Sequence, residues 1–284
     1  MKVLFLVATY FVAVTIIFIL PRIIPGNPLA SLLAQISKYS QTSPEAIKGI
    51  YDTLMREFNI EKPLWEQYID FLARTFTGDL GTSITFYPRK VMSVIASALP
   101  WTLGLLVPAT LSSWIIGNVL GALAGYKRDT LFEKAIITST FMISQIPYYW
   151  FAMILIFVFA AELRLFPTGG AYSFGTIPGL SLNFIIDVLW HYALPFLALT
   201  TISLGAWASG MRVLIIYELR SDYILFSESL GIPDRVLFSY AFRNSVIPRV
   251  TGLALALGSV AGRALITEAL FTYPGALILV QCSA

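Results

Sequence analysis

Cysteine and histidine are almost absent from this chain of 284 residues, with Cys282 and His191 the only examples. A single cysteine excludes an intrachain disulfide and a multi-cysteine metal site. A single histidine excludes the paired-histidine metal and metalloprotease patterns. Charge is scarce too: Asp, Glu, Lys and Arg make up 12% of the sequence, against roughly 25% in an ordinary soluble domain. The formal net charge of +3 is small, and no basic stretch interleaved with aromatics points to nucleic acid. The phosphate-cradling pattern Gly-x4-Gly-Lys-Ser/Thr is missing, so this chain is not expected to hydrolyse a nucleotide itself.

Apolar residues fill the space these absences leave. They account for 57% of the chain, and the mean hydropathy is +0.76. A membrane-crossing helix needs roughly 20 mostly apolar residues. Val3–Leu20 meets that length without a charge. It exceeds a signal-peptide core of about 7–15 residues and runs into Pro21-Arg22-Ile23-Ile24-Pro25-Gly26 rather than a small-residue cleavage site, so it reads as a retained first span. Further spans are expected near 100–125, 135–161, 188–211 and 246–266, the last weakened by Arg249 and Arg263. Lys127, Arg128 and Lys134 in one loop and Arg212, Arg220, Arg235, Arg243 and Arg249 in another put both loops in the cytoplasm by the positive-inside rule. The opposite loop, 162–187, carries only Arg164. The fold class is therefore an all-α integral membrane protein: a polytopic helical bundle whose membrane domain covers 99–284, after a first helix over 1–20.

Residues 21–98 read as a small helical cap on the outer face. Ser43-Pro44-Glu45 resembles a helix start, and Ile47, Ile50, Tyr51, Leu54, Met55 and Phe58 follow at helical spacing. Trp65, Tyr68, Ile69 and Leu72 predict a second helix, closed by the turn Gly78-Asp79-Leu80-Gly81. Within the spans, Gly117, Gly121 and Gly125 form one face at intervals of four, as do Gly258 and Gly262; such faces admit a neighbouring helix closely. Polar residues at membrane depth are candidates for lining a pathway. Here they are Arg263, Asn118 and Gln145, with helix–helix bonding the alternative for the two amides and snorkelling to the outer surface the alternative for Arg263. His191 reads as an interface residue beside Trp190 and Tyr192.

The most informative stretch is the loop 212–245. Asp222 can cap a short helix whose far end is Gly231, and Pro233 with Asp234 opens a second helix that leads past Asn244 and Pro248 into the last span. A short helix between two rigid connections suits the transmission of force from a partner. An interfacial helix lying on lipid headgroups fits the same residues.

This loop resembles the cytoplasmic signature loop of permease subunits in binding-protein-dependent ABC importers, and more narrowly the first permease of the oligopeptide/dipeptide/nickel group. Asp222, Tyr223, Gly231, Arg243, Asn244 and Pro248 match that pattern in order. So do Pro25-Gly26-Asn27-Pro28, Gly78-Asp79-Leu80-Gly81-Thr82-Ser83, Phe166-Pro167-Thr168-Gly169-Gly170 and Phe271-Thr272-Tyr273-Pro274-Gly275. Two departures stand out: Phe226, Glu228 and Leu230 replace the small residues common before the glycine, and the sixth span of the family does not fit between Gly275 and Ala284.

The resemblance implies a non-catalytic subunit forming half of a translocation pathway. Its partners would be a second permease, two cytoplasmic ATPases that hold ATP and Mg, an external solute-binding protein, and membrane lipid; no cofactor would reside in this chain. Asp222, Tyr223, Ser227, Glu228, Gly231, Arg243, Asn244 and Pro248 would form the ATPase-coupling set. The implied solute is an oligopeptide or dipeptide, with an oligosaccharide possible within the group. The rival reading is an ion-coupled or energy-independent carrier, which usually places acids in its spans and repeats itself internally; neither feature is visible here.

Overall fold

The computed structural model describes residues 2–23, 55, 62–83 and 86–275. The chain divides into two compact units between Ser97 and Ala98. The expected helix over 47–58, the motif Pro25–Pro28 and any segment after Gly275 lie outside the described residues, apart from Met55.

In the first unit, α1 (Lys2–Ile23) packs on α2 (Leu64–Thr77). Phe18 is buried against Tyr68 and Phe71, with ring centroids 5.1 and 5.5 Å away. Thr15 and Tyr68 share a hydrogen bond of 2.7 Å, and Arg22 lies 3.6 Å over the Phe18 ring while donating to Gln67 at 3.0 Å. These pairs use the one stripe of α1 that faces protein; Val3, Leu4 and Phe5 remain about three-quarters exposed, as suits a helix bathed in lipid. Helix α2 ends where Gly78 turns left-handed at φ +75°, a conformation glycine adopts without a Cβ clash.

Helix α3 (Val91–Tyr126) is followed by α4 (Leu131–Ser144), α5 (Tyr148–Leu155) with its π-helical continuation Ile156–Glu162, α6 (Leu182–Glu218), α7 (Asp222–Ser229), α8 (Asp234–Gly258) and α9 (Val260–Leu270). Together with α1, helices α3 and α6 are long and apolar enough to cross a membrane. The stretch read as one span over 135–161 is instead bent by 98° between α4 and α5. Pro147 explains the bend: it lacks an N–H, and its ring disfavours helical geometry in the residue before it. Its carbonyl then accepts from Trp150 and Phe151 to start the next helix.

The stretch read as a last span over 246–266 is also divided. Helix α8 starts before it, at Asp234, runs unbroken through Pro248, and stops at Gly258; Ser259 separates it from α9. Gly-Ser pairs are a common cause of such breaks, since both residues hold a helix weakly. Two helix starts are shifted by one position from expectation: Ser221 rather than Asp222 occupies the N-cap of α7, and Pro233 occupies the N-cap of α8 with Asp234 in its first turn.

Glycines set the closest approaches. A Cβ on Gly121 would collide with the backbone of Ala208, and one on Gly125 would lie 2.9 Å from the carbonyl of Arg212. Gly117 meets Leu204, Trp207 and Ala208 in the same way, so the three-glycine face of α3 packs on α6. Gly205 of α6 in turn lies against Thr140 and Ser144 of α4. Gly258 and Gly262 differ from expectation. Among the described residues nothing comes within 4 Å of a Cβ at either, and the break at Ser259 takes them off a common helical face. At the start of α6, Asp187 accepts from the backbone N–H (2.6 Å) and hydroxyl (2.7 Å) of Ser173, and buried His191 bonds the Asp187 carbonyl at 2.8 Å. There the motifs Phe166–Gly170 and Phe271–Gly275 meet: Gly170 N–H donates to the Phe271 carbonyl at 2.8 Å, and Glu268 bonds the Thr102 hydroxyl.

Candidate coupling segment and transport cleft

Helix α7 sits at the other end of α6, about 55 Å along a helix of this length. It is anchored through one residue. Ile224, 2% exposed, enters a core with Met211 and Ile215 of α6, Leu237 and Ala241 of α8, and Ala122 of α3. The rest of its apolar surface points away: Leu225 is 52% exposed, Phe226 65% and Leu230 64%. An eight-residue helix with two bare apolar side chains, and a third at its C-cap, is not a self-contained element.

Hydrogen bonds fix the orientation of α7. Tyr223 donates its hydroxyl to Glu218 at 2.6 Å, and Asn244 donates to that carboxylate at 3.1 Å and to the Tyr223 oxygen at 2.8 Å. One three-residue network thus joins the end of α6, the start of α7 and the middle of α8. Burial, and then the neighbouring Glu218 carboxylate, push the Tyr223 phenol above its ordinary pKa, so it stays protonated and donating at neutral pH. The far end closes with Gly231 at φ +74°, its N–H on the Glu228 carbonyl (2.9 Å) and the Ile232 N–H on the Ser227 carbonyl (3.3 Å), the two bonds of a Schellman turn.

Each coupling candidate has a definite place. Asp222 lies exposed in the first turn, where a negative charge suits the helix dipole. Ser227 donates back to the Tyr223 carbonyl at 2.7 Å, and Glu228 is exposed. Tyr223 and Asn244 are brought into contact across 21 residues of sequence. Arg243 and Pro248 are exposed on α8. Glu218, the acceptor at the centre of the network, escapes a reading of the sequence because it precedes Asp222, where the recognised pattern begins. An ion pair, Arg212 with the buried Glu133, ties the loop 126–134 to α6. Its signal was present in Thr130-Leu131-Phe132-Glu133, a capping-box spacing in which Thr130 caps the Glu133 N–H at 3.3 Å.

The candidate pathway residues separate. Asn118, buried at 2% exposure, accepts from Arg249 Nε at 2.9 Å and donates to the Trp114 carbonyl at 2.7 Å. Gln145 lies at the α4–α5 bend and lines a cleft of about 810 Å³ between α4, α6, α8 and α9. The side chain of Arg263 lies outside the described residues. Arg249 was legible as a cytoplasmic-loop cation and as a flaw in a span, yet it also lines the cleft.

Helices long enough to cross a membrane, a cleft beside one of them and a short exposed helix tied to α6 and α8 fit a membrane transport subunit. The sequence model described as "Binding-protein-dependent transport system inner membrane component" matches residues 117–281. The di/tripeptide transport system permease protein DppB of Pseudomonas aeruginosa is 30% identical over 284 residues, covering 95% of this chain and 82% of that protein. The dipeptide transport system permease protein DppB of Alkalihalophilus pseudofirmus is 30% identical, covering 97% and 84%. The oligopeptide transport system permease protein AppB of Bacillus subtilis is 28% identical, covering 91% and 78%. The chain belongs to this family of inner-membrane components. It is a membrane permease subunit of an ABC importer, a class that works with ATPase and solute-binding partners. Family membership decides against the ion-coupled carrier.

Proposed function

We propose that this subunit carries peptides, pairs with a second permease to enclose the pathway, and offers α7 in the cytoplasm to one of two ATPases that bind ATP and Mg. The loaded external binding protein would bias the paired bundles toward one state and nucleotide toward the other. The observation that supports the coupling role best is the contrast on α7: Ile224 and the Glu218–Tyr223–Asn244 network hold it from behind, while Leu225, Phe226 and Leu230 face outward. A helix lying on lipid headgroups would need a wide apolar face opposite a polar one. Here Asp222, Glu228 and Ser229 share the exposed surface with the three apolar residues, a mixture better matched to a protein groove. The peptide reading rests on the names of the relatives, two of which are dipeptide or di/tripeptide permeases and one an oligopeptide permease.

The test is cross-linking on the assembled importer. Phe226→Cys, with Cys282 replaced by serine, should form a nucleotide-sensitive cross-link to the ATPase. A Phe226 position that reacts with lipid-phase reagents and never with the ATPase sinks the coupling role.

A further inference from the structure

The cleft of about 810 Å³ has a size suited to a small organic solute. Its polar lining includes Gln145, Ser203, Ser209 and Arg249, and Arg249 is the one charged residue among the described residues that line it. Arg249 is held by neutral groups. Its Nε donates to the Asn118 amide oxygen at 2.9 Å, one Nη donates to the Trp207 carbonyl at 2.9 Å, and the guanidinium lies 4.6 Å from the Trp207 ring centroid. Gly210 makes room for it, since a Cβ there would lie 2.5 Å from the Arg249 Nη1 and 3.0 Å from its Cζ. These partners solvate and orient the cation but leave its charge uncompensated. Among the described residues no acceptor meets Nη1.

A guanidinium stays charged inside proteins. A cation with neutral supports and an unused donor, on a residue that lines a cleft, favours an anion there. We infer that Arg249 is a solute-contacting residue of the transport pathway that receives a carboxylate of the passing solute on its unpaired Nη1. Resting on the peptide reading, this names the C-terminal carboxylate as the group recognised inside the membrane. Carboxylates of acidic side chains share that chemistry.

The experiment uses the complete importer in liposomes, with ATPases and external binding protein. Uptake of radiolabelled trialanine is compared with uptake of its C-terminal amide, each at a concentration that saturates the binding protein. Wild type should carry the free acid about tenfold faster, the order expected for one charge-assisted hydrogen bond. Arg249→Gln should bring the ratio close to one, and Arg249→Lys should keep much of it. Ala-Glu-Ala amide against Ala-Gln-Ala amide shows whether a side-chain carboxylate can substitute. A merely structural Arg249 would lower both rates together and leave the ratio alone. Equal rates for acid and amide in wild type, or an unchanged ratio in Arg249→Gln, overturn the inference while leaving peptide transport intact. Failure of wild type to carry either peptide overturns the peptide reading itself. Should Arg249→Gln not assemble, the wild-type comparison and Arg249→Lys still decide.

Discussion

Glu218 and Glu133 are two carboxylates with different tasks, and their surroundings distinguish them. Glu133 is buried and paired with Arg212, so removing Arg212 leaves a charge stranded in the protein. Arg212→Ala should cost about 3 kcal/mol, in the range for breaking one side of a buried pair, read as a lower thermal midpoint of the purified subunit. Glu218 instead gathers two neutral donors, Tyr223 and Asn244. Glu218→Ala should leave the fold largely intact and lower uptake per ATP hydrolysed, because α7 loses its link to α6 and α8. The phenol of Tyr223 has a folded pKa raised above its unfolded value. Its contribution is therefore fully present below about pH 10, the ordinary phenol value, and is lost as pH rises through the higher folded one. Coupling measured from pH 6 to 9 should show no titration from this residue. An inflection in that range that disappears in Tyr223→Phe would contradict the assignment.

At the scale of the element, α7 behaves as a bracket with one buried foot and a closed end. Phe226→Glu puts a charge where an apolar contact is proposed and should cut ATPase co-purification at least about tenfold, with the helix content of the subunit unchanged. Gly231→Ala asks an L-residue to hold φ +74°, at a cost of about 1–2 kcal/mol. It should loosen the turn and reduce uptake without abolishing assembly. Much of this element was readable from the residues. Gly231 announced its turn, and Tyr223 and Asn244 belonged to a recognised pattern. Glu218 was not readable, because a carboxylate one turn before Asp222 gains meaning only when α6 delivers it to the two donors. The bend at Pro147 and the break at Ser259 had local causes in the sequence, but unbroken apolar composition outweighed them in the reading of spans.

The whole molecule turns on how closely its long helices approach. The glycine face of α3 leaves room for the backbone of α6, so Gly121→Val should overpack that crossing and destabilise the subunit by about 1–3 kcal/mol. Gly258→Ala meets nothing among the described residues and should be tolerated in the isolated subunit. Thermal unfolding of the two variants side by side separates them; equal loss in both would mean that Gly258 is packed after all.

Apolar periodicity and length determined by themselves that the chain is helical and membrane-embedded, since the bilayer demands that backbone groups be bonded internally whatever the partners are. The spacing of Gly117, Gly121 and Gly125 likewise determined that a helix would approach that face. Which helix approached, which carboxylate gripped α7, and that Arg249 would stand on a cleft with neutral supports were decided only by tertiary structure. Each depends on groups separated by dozens of residues in sequence, and no local rule of propensity, capping or hydropathy carries information across that distance.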